Sequence, residues 1–486
     1  MMIELSVLTY LSIALIITNI LLASILIFIE RKDAQSTWAW LLILFFIPFF
    51  GFIIYFLLGQ TLSRRKLFKW SGIKKMGLED MIQRQQDDVR SPHFHFGNET
   101  ANQHRDLIYM HLMNNEAVLT ENNTVDILND GKMKFQQLLT DIRAAKTFIH
   151  IQYYIFRYDG IGKEVIDALT ARAAAGVKVR LLYDELGSRS LRKKFLRPFL
   201  EAGGEVGVFF PSKFAIINFR LNFRNHRKLV NIDGKIGYIG GFNVGDEYLG
   251  KKKRFGYWRD THLRIQGPAV QAIQTRFILD WNQAAKEYYI SYHDRYFPPC
   301  KSSGNVPLQI VSSGPDSESE QIKNGYLKMI MSAKKSIFIQ TPYFIPDQTL
   351  LDALRVAAQT GIDVEIMIPN KPDHMFVYWA TTSHIGEMLK VGATVYIYEG
   401  GFIHNKVIII DETLSTVGTA NIDQRSFKLN FEVNAFIYDK ATARRLSADF
   451  RADVETSSLL TLSDYEHRPK RTRFKESISR LLSPIL

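Results

Sequence analysis

Cysteine is nearly absent from this sequence. Its 486 residues include a single one, Cys300, which excludes an intramolecular disulfide framework and a cysteine-rich metal site. Clusters of His, Asp and Glu at metal-ligand spacing are also missing outside two repeated segments that begin at His226 and His404. The sequence therefore predicts no metal and no cofactor, and Cys300 is interpreted as a thiol without a chemical role.

Charged residues are missing from two long stretches near the N-terminus, Leu5 to Ile29 and Trp38 to Leu58. Since about 20 apolar residues cross a bilayer, residues 1–60 are predicted to form a two-helix transmembrane hairpin. Six Lys and Arg residues lie between positions 64 and 75, against two in the loop between the stretches. The positive-inside rule then predicts a multi-pass protein of the cell membrane with its large C-terminal part on the cytoplasmic side.

Acidic residues are fewer than basic ones. There are 49 Asp and Glu residues against 61 Lys and Arg, which gives a formal net charge of +12. This balance favours an anionic partner, either nucleic acid or the surface of an anionic membrane. Charge alone does not choose between the two.

Two segments share one pattern of polar residues. Each starts with His-x-Lys and continues with Asp, Gly and Asn at offsets of 7, 14 and 17 residues from the His. An apolar, β-branched run follows each Lys and predicts a strand, on which residues two apart project from the same face. Each Asp is expected to end its strand rather than to touch substrate. The residues are His226, Lys228, Asp233, Gly240 and Asn243 in the first copy, and His404, Lys406, Asp411, Gly418 and Asn421 in the second.

The surrounding sequence is duplicated as well. Ala145–Gln152 matches Ala333–Gln340, and each reads as a helix end that runs into a buried strand. Strands that alternate with helices predict an α/β fold with a mixed sheet clad by helices. Two such halves would bring their His-x-Lys strands together across one shared active site. The predicted domains are the hairpin (1–60), a basic juxtamembrane segment and polar linker (61–117), the two halves (118–300 and 301–462) and a basic amphipathic C-terminal helix (463–486).

The duplicated pattern resembles the HKD motif of the phospholipase D superfamily, and the flanking sequence is similar to bacterial cardiolipin synthases across nearly the full chain. The motif is highly specific for the superfamily and less specific for the substrate. The resemblance implies phosphatidyl transfer between two phosphatidylglycerol molecules through a covalent phosphatidyl-histidine, on a membrane and without nucleic acid. It also favours His226 as the nucleophile and makes both HKD triads the catalytic set.

Further roles follow from the chemistry of a phosphodiester. Lys228, Lys406, Asn243 and Asn421 are expected to donate to the phosphoryl oxygens, and Gly240 and Gly418 to allow a ligand to approach the backbone. A carboxylate that accepts the second ring N–H of each His would fix its tautomer. The candidates are Asp260 and Glu432, and the resemblance supports pairing Asp260 with His226 and Glu432 with His404.

Several rival functions fit the same residues. Water or another alcohol in place of the second phosphatidylglycerol would give a phospholipase D-type hydrolase or a different transphosphatidylase. A membrane-tethered nuclease would use the same motif on DNA, and a membrane-binding scaffold would use none of it. The apolar stretches and the basic C-terminal helix favour lipid over nucleic acid, and the complete residue set in both copies argues against a scaffold.

Overall fold

The structure is a computed structural model that describes residues 2–30, 34–55, 59, 68, 77–211, 222–300, 304–481 and 483. The chain divides into two compact units. One comprises Met1–Arg65 and Ser212–Phe223, and the other comprises Lys66–Pro211 and Arg224–Leu486. Both His-x-Lys segments belong to the second unit.

The described residues between positions 2 and 55 are helical. The edge of the Trp40 ring packs on Tyr55 with centroids 5.3 Å apart, and Pro48 opens a new helix at a first-turn position, where its missing N–H costs nothing. Among the described residues, none of the helices combines the length with the apolar character that a membrane crossing requires. The predicted two-helix transmembrane hairpin is therefore not supported. The helices are α1 (Met2–Ser24), which continues as a π-helical turn (Ile25–Glu30), α2 (Ala34–Phe46) and α3 (Pro48–Ile54).

Part of the segment predicted as a polar linker folds into helices that pack on the second half. Leu107, Ile108 and Leu112 recur at helical spacing and lie buried in the same core cluster as Ile337 and Ile339. The Asn98 side chain caps the first turn of the middle helix by accepting from the Thr100 backbone N–H at 2.8 Å. These helices are α4 (Leu78–Arg90), α5 (Glu99–Gln103) and α6 (Arg105–Asn115).

The first half contains one mixed sheet with the strand order β1-β8-β7-β6-β2-β3-β4. Its two parallel pairings, β2 with β3 and β3 with β4, require helical crossovers, and α8 and α9 supply them. The strands are β1 (Thr120–Asp130), β2 (Phe148–Tyr153), β3 (Lys178–Asp184), β4 (Glu205–Phe209), β5 (Arg224–Asn225), β6 (Leu229–Ile232), β7 (Ile236–Gly240) and β8 (Trp258–Gln266). The helices are α7 (Gly131–Ala144), α8 (Gly160–Ala174), α9 (Lys193–Glu201) and α10 (Ala269–Ala284).

The second half repeats this order as β9-β18-β16-β15-β10-β12-β13, with β19 added at the edge. The strands are β9 (Val306–Ser313), β10 (Ser336–Gln340), β11 (Phe344–Ile345), β12 (Asp363–Pro369), β13 (Thr394–Tyr398), β14 (Phe402–Ile403), β15 (Val407–Ile410), β16 (Leu414–Gly418), β17 (Ile422–Asp423), β18 (Asn430–Ile437) and β19 (Ser457–Leu459). The helices are α11 (Gln321–Ser332), α12 (Gln348–Gln359), α13 (Met375–Leu389), α14 (Gln424–Lys428), α15 (Lys440–Val454), α16 (Leu462–Glu466) and α17 (Lys470–Leu481). The identical order confirms the predicted pair of duplicated α/β halves.

The two sheets meet through three pairings between the halves. β1 pairs antiparallel with β9, and two short parallel pairings join β5 to β18 and β14 to β8. Each His-x-Lys segment leads into a strand antiparallel to a central strand, with Leu229 opposite Gln152 and Val407 opposite Gln340. Both segments therefore lie where β2 and β10 end, next to the short pairings that connect the halves.

Candidate active site

The backbone of each motif histidine is held by the opposite half of the protein. The His226 N–H donates to the Phe431 carbonyl at 2.9 Å, and the His404 N–H donates to the Arg259 carbonyl at 2.7 Å. These bonds continue the two short parallel pairings between the halves. The two motifs are thus fixed against each other by backbone as well as by side chains.

The carboxylate partners of the histidines also come from the opposite half. The His226 Nδ1 lies 2.9 Å from the Glu432 Oε2, and the His404 Nδ1 lies 2.7 Å from the Asp260 Oδ2. The predicted pairing of Asp260 with His226 and Glu432 with His404 is therefore wrong. The exchange arises because the start of β18 runs beside β5, just before His226, while the start of β8 runs beside β14, just before His404.

These contacts determine the tautomer of each ring. An ionised carboxylate only accepts hydrogen bonds, so the Nδ1 of each His donates and the Nε2 is left for chemistry. Burial lowers the pKa of His226 to about 4, against the opposing effect of Glu432. Burial, followed by the charge of Lys406, also lowers the pKa of His404. Both rings are therefore neutral near pH 7 before substrate binds, as a histidine nucleophile must be.

The two motif lysines are completely buried close to the histidines. The Lys228 Nζ donates to the His226 carbonyl at 2.5 Å, and the Lys406 Nζ donates to the His404 carbonyl. Burial lowers the pKa of Lys228 to about 7 and that of Lys406 to about 8, and the charge of Lys406 further lowers the pKa of Lys228. The charge of Lys406 also lowers the pKa of His226, and Glu432 acts on both lysines, so the two His-x-Lys segments converge on one site.

The two motif asparagines are in different environments. The Asn243 Oδ1 accepts from the Ile155 N–H at 3.1 Å, and its Nδ2 donates to the Tyr248 hydroxyl at 3.1 Å. The Asn421 side chain lies against Asp423, whose pKa is raised to about 6 by burial, and the buried Asn421 Oδ1 has no hydrogen-bond partner among the described residues. Their phosphate-binding role stays a prediction.

The motif aspartates bind backbone rather than face the histidines. Asp233 accepts from the N–H groups of residues 146, 147 and 148 at 2.8, 2.7 and 2.9 Å. Asp411 accepts from those of residues 334, 335 and 336 at the same three distances. Both residues have positive φ, 55° and 52°, at the turn that ends the strand. They therefore hold the motif hairpin onto the start of the neighbouring strand, as the turn pattern predicted, and we assign them to positioning within the catalytic motif.

The motif glycines Gly240 and Gly418, and Gly241 beside the first, leave space for β8 and β18, the strands that carry Asp260 and Glu432. A Cβ at Gly241 would lie 2.0 Å from the Asp260 Oδ1, and one at Gly418 would lie 2.2 Å from the Asn434 side chain. Gly240 has a φ of 155°, and its Cβ would meet the His262 backbone at 2.5 Å. We predicted close approach of a ligand, but in the structure the close neighbours of Gly240 and Gly418 belong to β8 and β18.

Three further residues, which the sequence did not reveal, support the site. The Thr419 hydroxyl and the Asn430 Nδ2 donate to the two oxygens of Glu432 at 2.5 and 3.1 Å. The Tyr154 ring packs edge-on against His226 at 4.9 Å. Thr419 lies between the motif Gly and Asn, so its position inside the pattern was the available signal. Nothing in the sequence marks Tyr154 or Asn430.

A buried aspartate in each half organises the polar groups around its motif. Asp280 accepts from Gln152 at 2.7 Å, Asn225 at 3.0 Å and Arg227 at 2.7 Å. Asp453 accepts from Gln340 at 2.8 Å and lies 2.9 Å from the Arg259 guanidinium. Gln152 and Gln340 end the two matched segments of the repeat, so this equivalence was visible in the sequence. The aspartates were not, because they lie on helices in unrelated local sequence.

Two family models match parts of this chain. Residues 138–281 and 326–454 match a family model described as cardiolipin synthase, PLD-like domain, and residues 16–60 match one described as Phospholipase_D-nuclease N-terminal. The chain is 62% identical over 470 residues to the major cardiolipin synthase ClsA of Bacillus subtilis, which covers 97% of this chain and 98% of that one.

Two other matches extend the comparison. A cardiolipin synthase of Listeria innocua is 53% identical over 479 residues, 99% of each chain. The crystal structure of phosphatidylserine synthase from Haemophilus influenzae superposes with a TM-score of 0.60 at 14% identity, over 80% of this chain and 100% of that one, which shows a common fold. The extent of the family match and the identity over nearly the whole length show that this chain belongs to the bacterial cardiolipin synthases of the phospholipase D superfamily.

Proposed function

We propose that this protein transfers a phosphatidyl group from one phosphatidylglycerol to a second, which yields cardiolipin and glycerol. Membership in the cardiolipin synthase family makes it a phosphatidyltransferase. The observation that carries the mechanism is the crossed arrangement of the two histidine–carboxylate pairs, which places two oriented imidazoles and two buried lysines in one site. One imidazole can attack phosphorus while the other handles the proton of the leaving or entering oxygen.

In the first step the neutral Nε2 of His226 attacks the phosphorus of the donor lipid. The P–N bond forms while the P–O bond to the glycerol headgroup breaks, and His404 delivers the Nε2 proton to the departing oxygen. The phosphate anion of the bound donor favours protonated His404 in this complex, because a nearby negative charge raises the pKa of an imidazole. Glu432 stabilises the positive charge that develops on His226.

In the second step the headgroup hydroxyl of another phosphatidylglycerol takes the place of glycerol. His404, now neutral, accepts the hydroxyl proton at Nε2 as the oxygen attacks phosphorus. The P–N bond breaks, and its electron pair returns to His226. Lys228 and Lys406 neutralise the phosphoryl oxygens in both steps, so charge stabilisation comes from the chain itself.

The two lysines predict a specific dependence on pH. The value of kcat/KM should fall as pH rises, because the free enzyme loses the His404 proton that the first step needs, and should fall further through the range of about 7 to 8, where Lys228 and Lys406 lose their protons. The fall in kcat should occur at higher pH, because bound phosphate holds the lysine protons. Rate profiles in mixed micelles would test this, and a kcat/KM that stays constant from about pH 6 to about pH 9 would contradict it.

Chelators are expected to leave the transfer rate unchanged. The two lysines supply the positive charge that a metal ion would otherwise provide, and among the described residues no three His, Cys, Asp or Glu side chains are grouped as a metal site. The measurement is the initial rate before and after dialysis against EDTA. A loss of activity that one divalent ion restores would refute this prediction.

The decisive assay gives the detergent-solubilised full chain pure phosphatidylglycerol. Cardiolipin and glycerol in equal amounts are expected. Phosphatidic acid as the main product would identify a hydrolase, and a product formed only with an added alcohol would identify a different transphosphatidylase. Cleavage of DNA without any lipid turnover would identify a nuclease.

Membrane association at both ends of the chain completes the proposal. The N-terminal unit is proposed to attach the enzyme to the cell membrane, and the multi-pass arrangement with a cytoplasmic catalytic part remains a proposal from the sequence. At the other end, the buried residues of α17 include Glu476 and Ser479, whereas its apolar Phe474 and Leu481 are 67% and 79% exposed. The helix thus turns apolar residues outward among its basic ones, which suits contact with an anionic lipid surface.

A further inference from the structure

Two large apolar side chains are exposed side by side at the start of α13. Met375 and Phe376 are 53% and 55% exposed, although residues of this kind normally lie in the core. Single exposed apolar residues are common on protein surfaces. Two adjacent ones at the tip of a helix instead form a small apolar projection. We call Met375 and Phe376 the α13 tip.

The α13 tip lies next to the active site. Burial lowers the pKa values of His404 and Lys406, and the carboxylate of Asp373 acts on both groups in the opposite direction. The Tyr343 hydroxyl donates to the same carboxylate, and the next residue, Phe344, pairs with Ile422 beside the motif Asn421. Asp373 is two residues before Met375, so the chain passes directly from the surroundings of the catalytic groups to the exposed tip.

A basic loop is attached to the same segment. Residues 251–254 are three lysines and Arg254, all exposed, and the Arg254 Nη2 donates to the carbonyls of Pro372 and Asp373, both at 3.1 Å. Lys251 and Lys252 form ion pairs with Asp246 at 3.1 Å and Glu247 at 2.6 Å. Four cations against these two carboxylates leave the loop with a surplus of positive charge beside the α13 tip.

The helix α17 extends the same surface. The Lys475 Nζ lies 5.1 Å from the centre of the Trp379 ring, which places α17 alongside the first turns of α13. Phe474, the residue before Lys475, is 67% exposed. An exposed apolar side chain and a cation therefore lie on the helix that runs alongside α13.

We propose that the α13 tip and the basic loop 251–254 dock the rim of the active site onto an anionic phospholipid bilayer. The cations contact the lipid phosphates while Met375 and Phe376 enter the boundary between headgroups and acyl chains. A lipid substrate then moves between the bilayer and the histidines without crossing water with its acyl chains exposed. This inference rests on the proposed function, because it assumes that both substrates come from the bilayer.

The first test places a fluorescent label on the tip of the full chain. In a Cys300→Ser background, Phe376→Cys is labelled with an environment-sensitive dye, and Met331→Cys serves as the matched control. Met331 is equally apolar and 69% exposed, but it lies near the start of β10, whereas the active site lies at the end of that strand. The protein is reconstituted into vesicles of phosphatidylcholine with or without phosphatidylglycerol.

Lipids with a quencher near the headgroup end of the acyl chain should quench the label at 376 and not the label at 331. Quenching should be stronger with phosphatidylglycerol and should weaken in high salt, because salt screens the loop charges. Equal quenching at both positions, or none at 376 in vesicles that form cardiolipin, would overturn the proposal. A signal at 376 that depends on protein concentration and not on lipid would assign the tip to a second protein molecule, and would overturn it as well.

The second test measures activity. The variant with Met375→Gln and Phe376→Gln should lose about tenfold or more of its rate on phosphatidylglycerol vesicles, which corresponds to about 1.4 kcal/mol. The loss should be much smaller in mixed micelles, and Met331→Gln should lose nothing in either system. An equal loss in micelles and vesicles would show a role inside the site and would overturn docking. A wild-type chain that forms no cardiolipin in micelles would instead refute the proposed function.

Discussion

His226→Ala is expected to abolish phosphatidyl transfer from every donor, whereas His404→Ala should retain the first half of the reaction when the leaving group needs no proton. The oriented Nε2 of His226 is the only proposed nucleophile, so no intermediate forms without it. His404 serves by moving protons, which contributes roughly 10²- to 10⁴-fold. A donor that carries p-nitrophenol in place of glycerol releases a stable anion and removes the need for that proton.

Rapid mixing of this activated donor with each variant separates the two roles. His404→Ala should release p-nitrophenolate in a burst of one equivalent per active site and then stall, because no base activates the second alcohol, and the phosphatidyl-enzyme should accumulate. His226→Ala should give no burst. A burst from His226→Ala alone would exchange the assignment of nucleophile and acid. Near-normal transfer by either variant, with folding confirmed by circular dichroism, would refute a shared site.

The core of the site could be predicted because its signal is local. Five shared offsets make a chance match very improbable, and the apolar run after each Lys marks the strand that follows, Leu229–Ile232 or Val407–Ile410. The His and Lys lie just before these strands rather than on them, so the expectation that they share a strand face is wrong, although both copies reach one site. The role of the motif aspartates could also be predicted, because Asp233-Gly234 is typical of a turn that ends a strand. In the structure both aspartates accept hydrogen bonds from backbone N–H groups. The repeat also implies that both halves share one strand order, since duplicated segments form equivalent strands, but it does not give that order.

The pairing of carboxylates with histidines depends on contacts that leave no such signal. The parallel pairings that bring Glu432 to His226 and Asp260 to His404 are two residues long on each side. Pairings of this length have no periodicity, and the partners lie 206 and 144 positions apart in the chain. The pairing that the family resemblance supports keeps each carboxylate in its own half, whereas the fold exchanges them.

The helices between residues 77 and 117 were underestimated for a related reason. These helices are polar except for one narrow apolar stripe. The residues that the stripe packs against, such as Ile337 and Ile339, lie more than two hundred positions later in the chain. In the N-terminal stretches, the lack of charge predicts long apolar helices. It does not predict the helix boundary at Pro48, where α2 ends and α3 begins. In both cases the composition shows that a segment is apolar, but it does not show which other segment packs against it or where a helix ends.

The crossed pairing gives the second prediction, which concerns Glu432→Gln and Asp260→Asn. Each amide keeps the shape of the side chain and removes the charge that orients and stabilises one imidazole. Both variants should lose roughly 10²- to 10⁴-fold on phosphatidylglycerol, as expected when a buried carboxylate behind a catalytic histidine becomes an amide. On the activated donor they should differ, because Glu432 supports the nucleophile and Asp260 supports the acid.

With the p-nitrophenol donor, Asp260→Asn should keep a fast burst, like His404→Ala, and Glu432→Gln should lose it, like His226→Ala. A double-mutant cycle adds an independent check, since residues in direct contact couple and separated ones add. Starting from His404→Ala, the further change Asp260→Asn should cost little, while Glu432→Gln should remove the remaining burst. If Asp260→Asn abolished the burst and Glu432→Gln preserved it, each histidine would depend on the carboxylate of its own half, and the crossed site would be refuted.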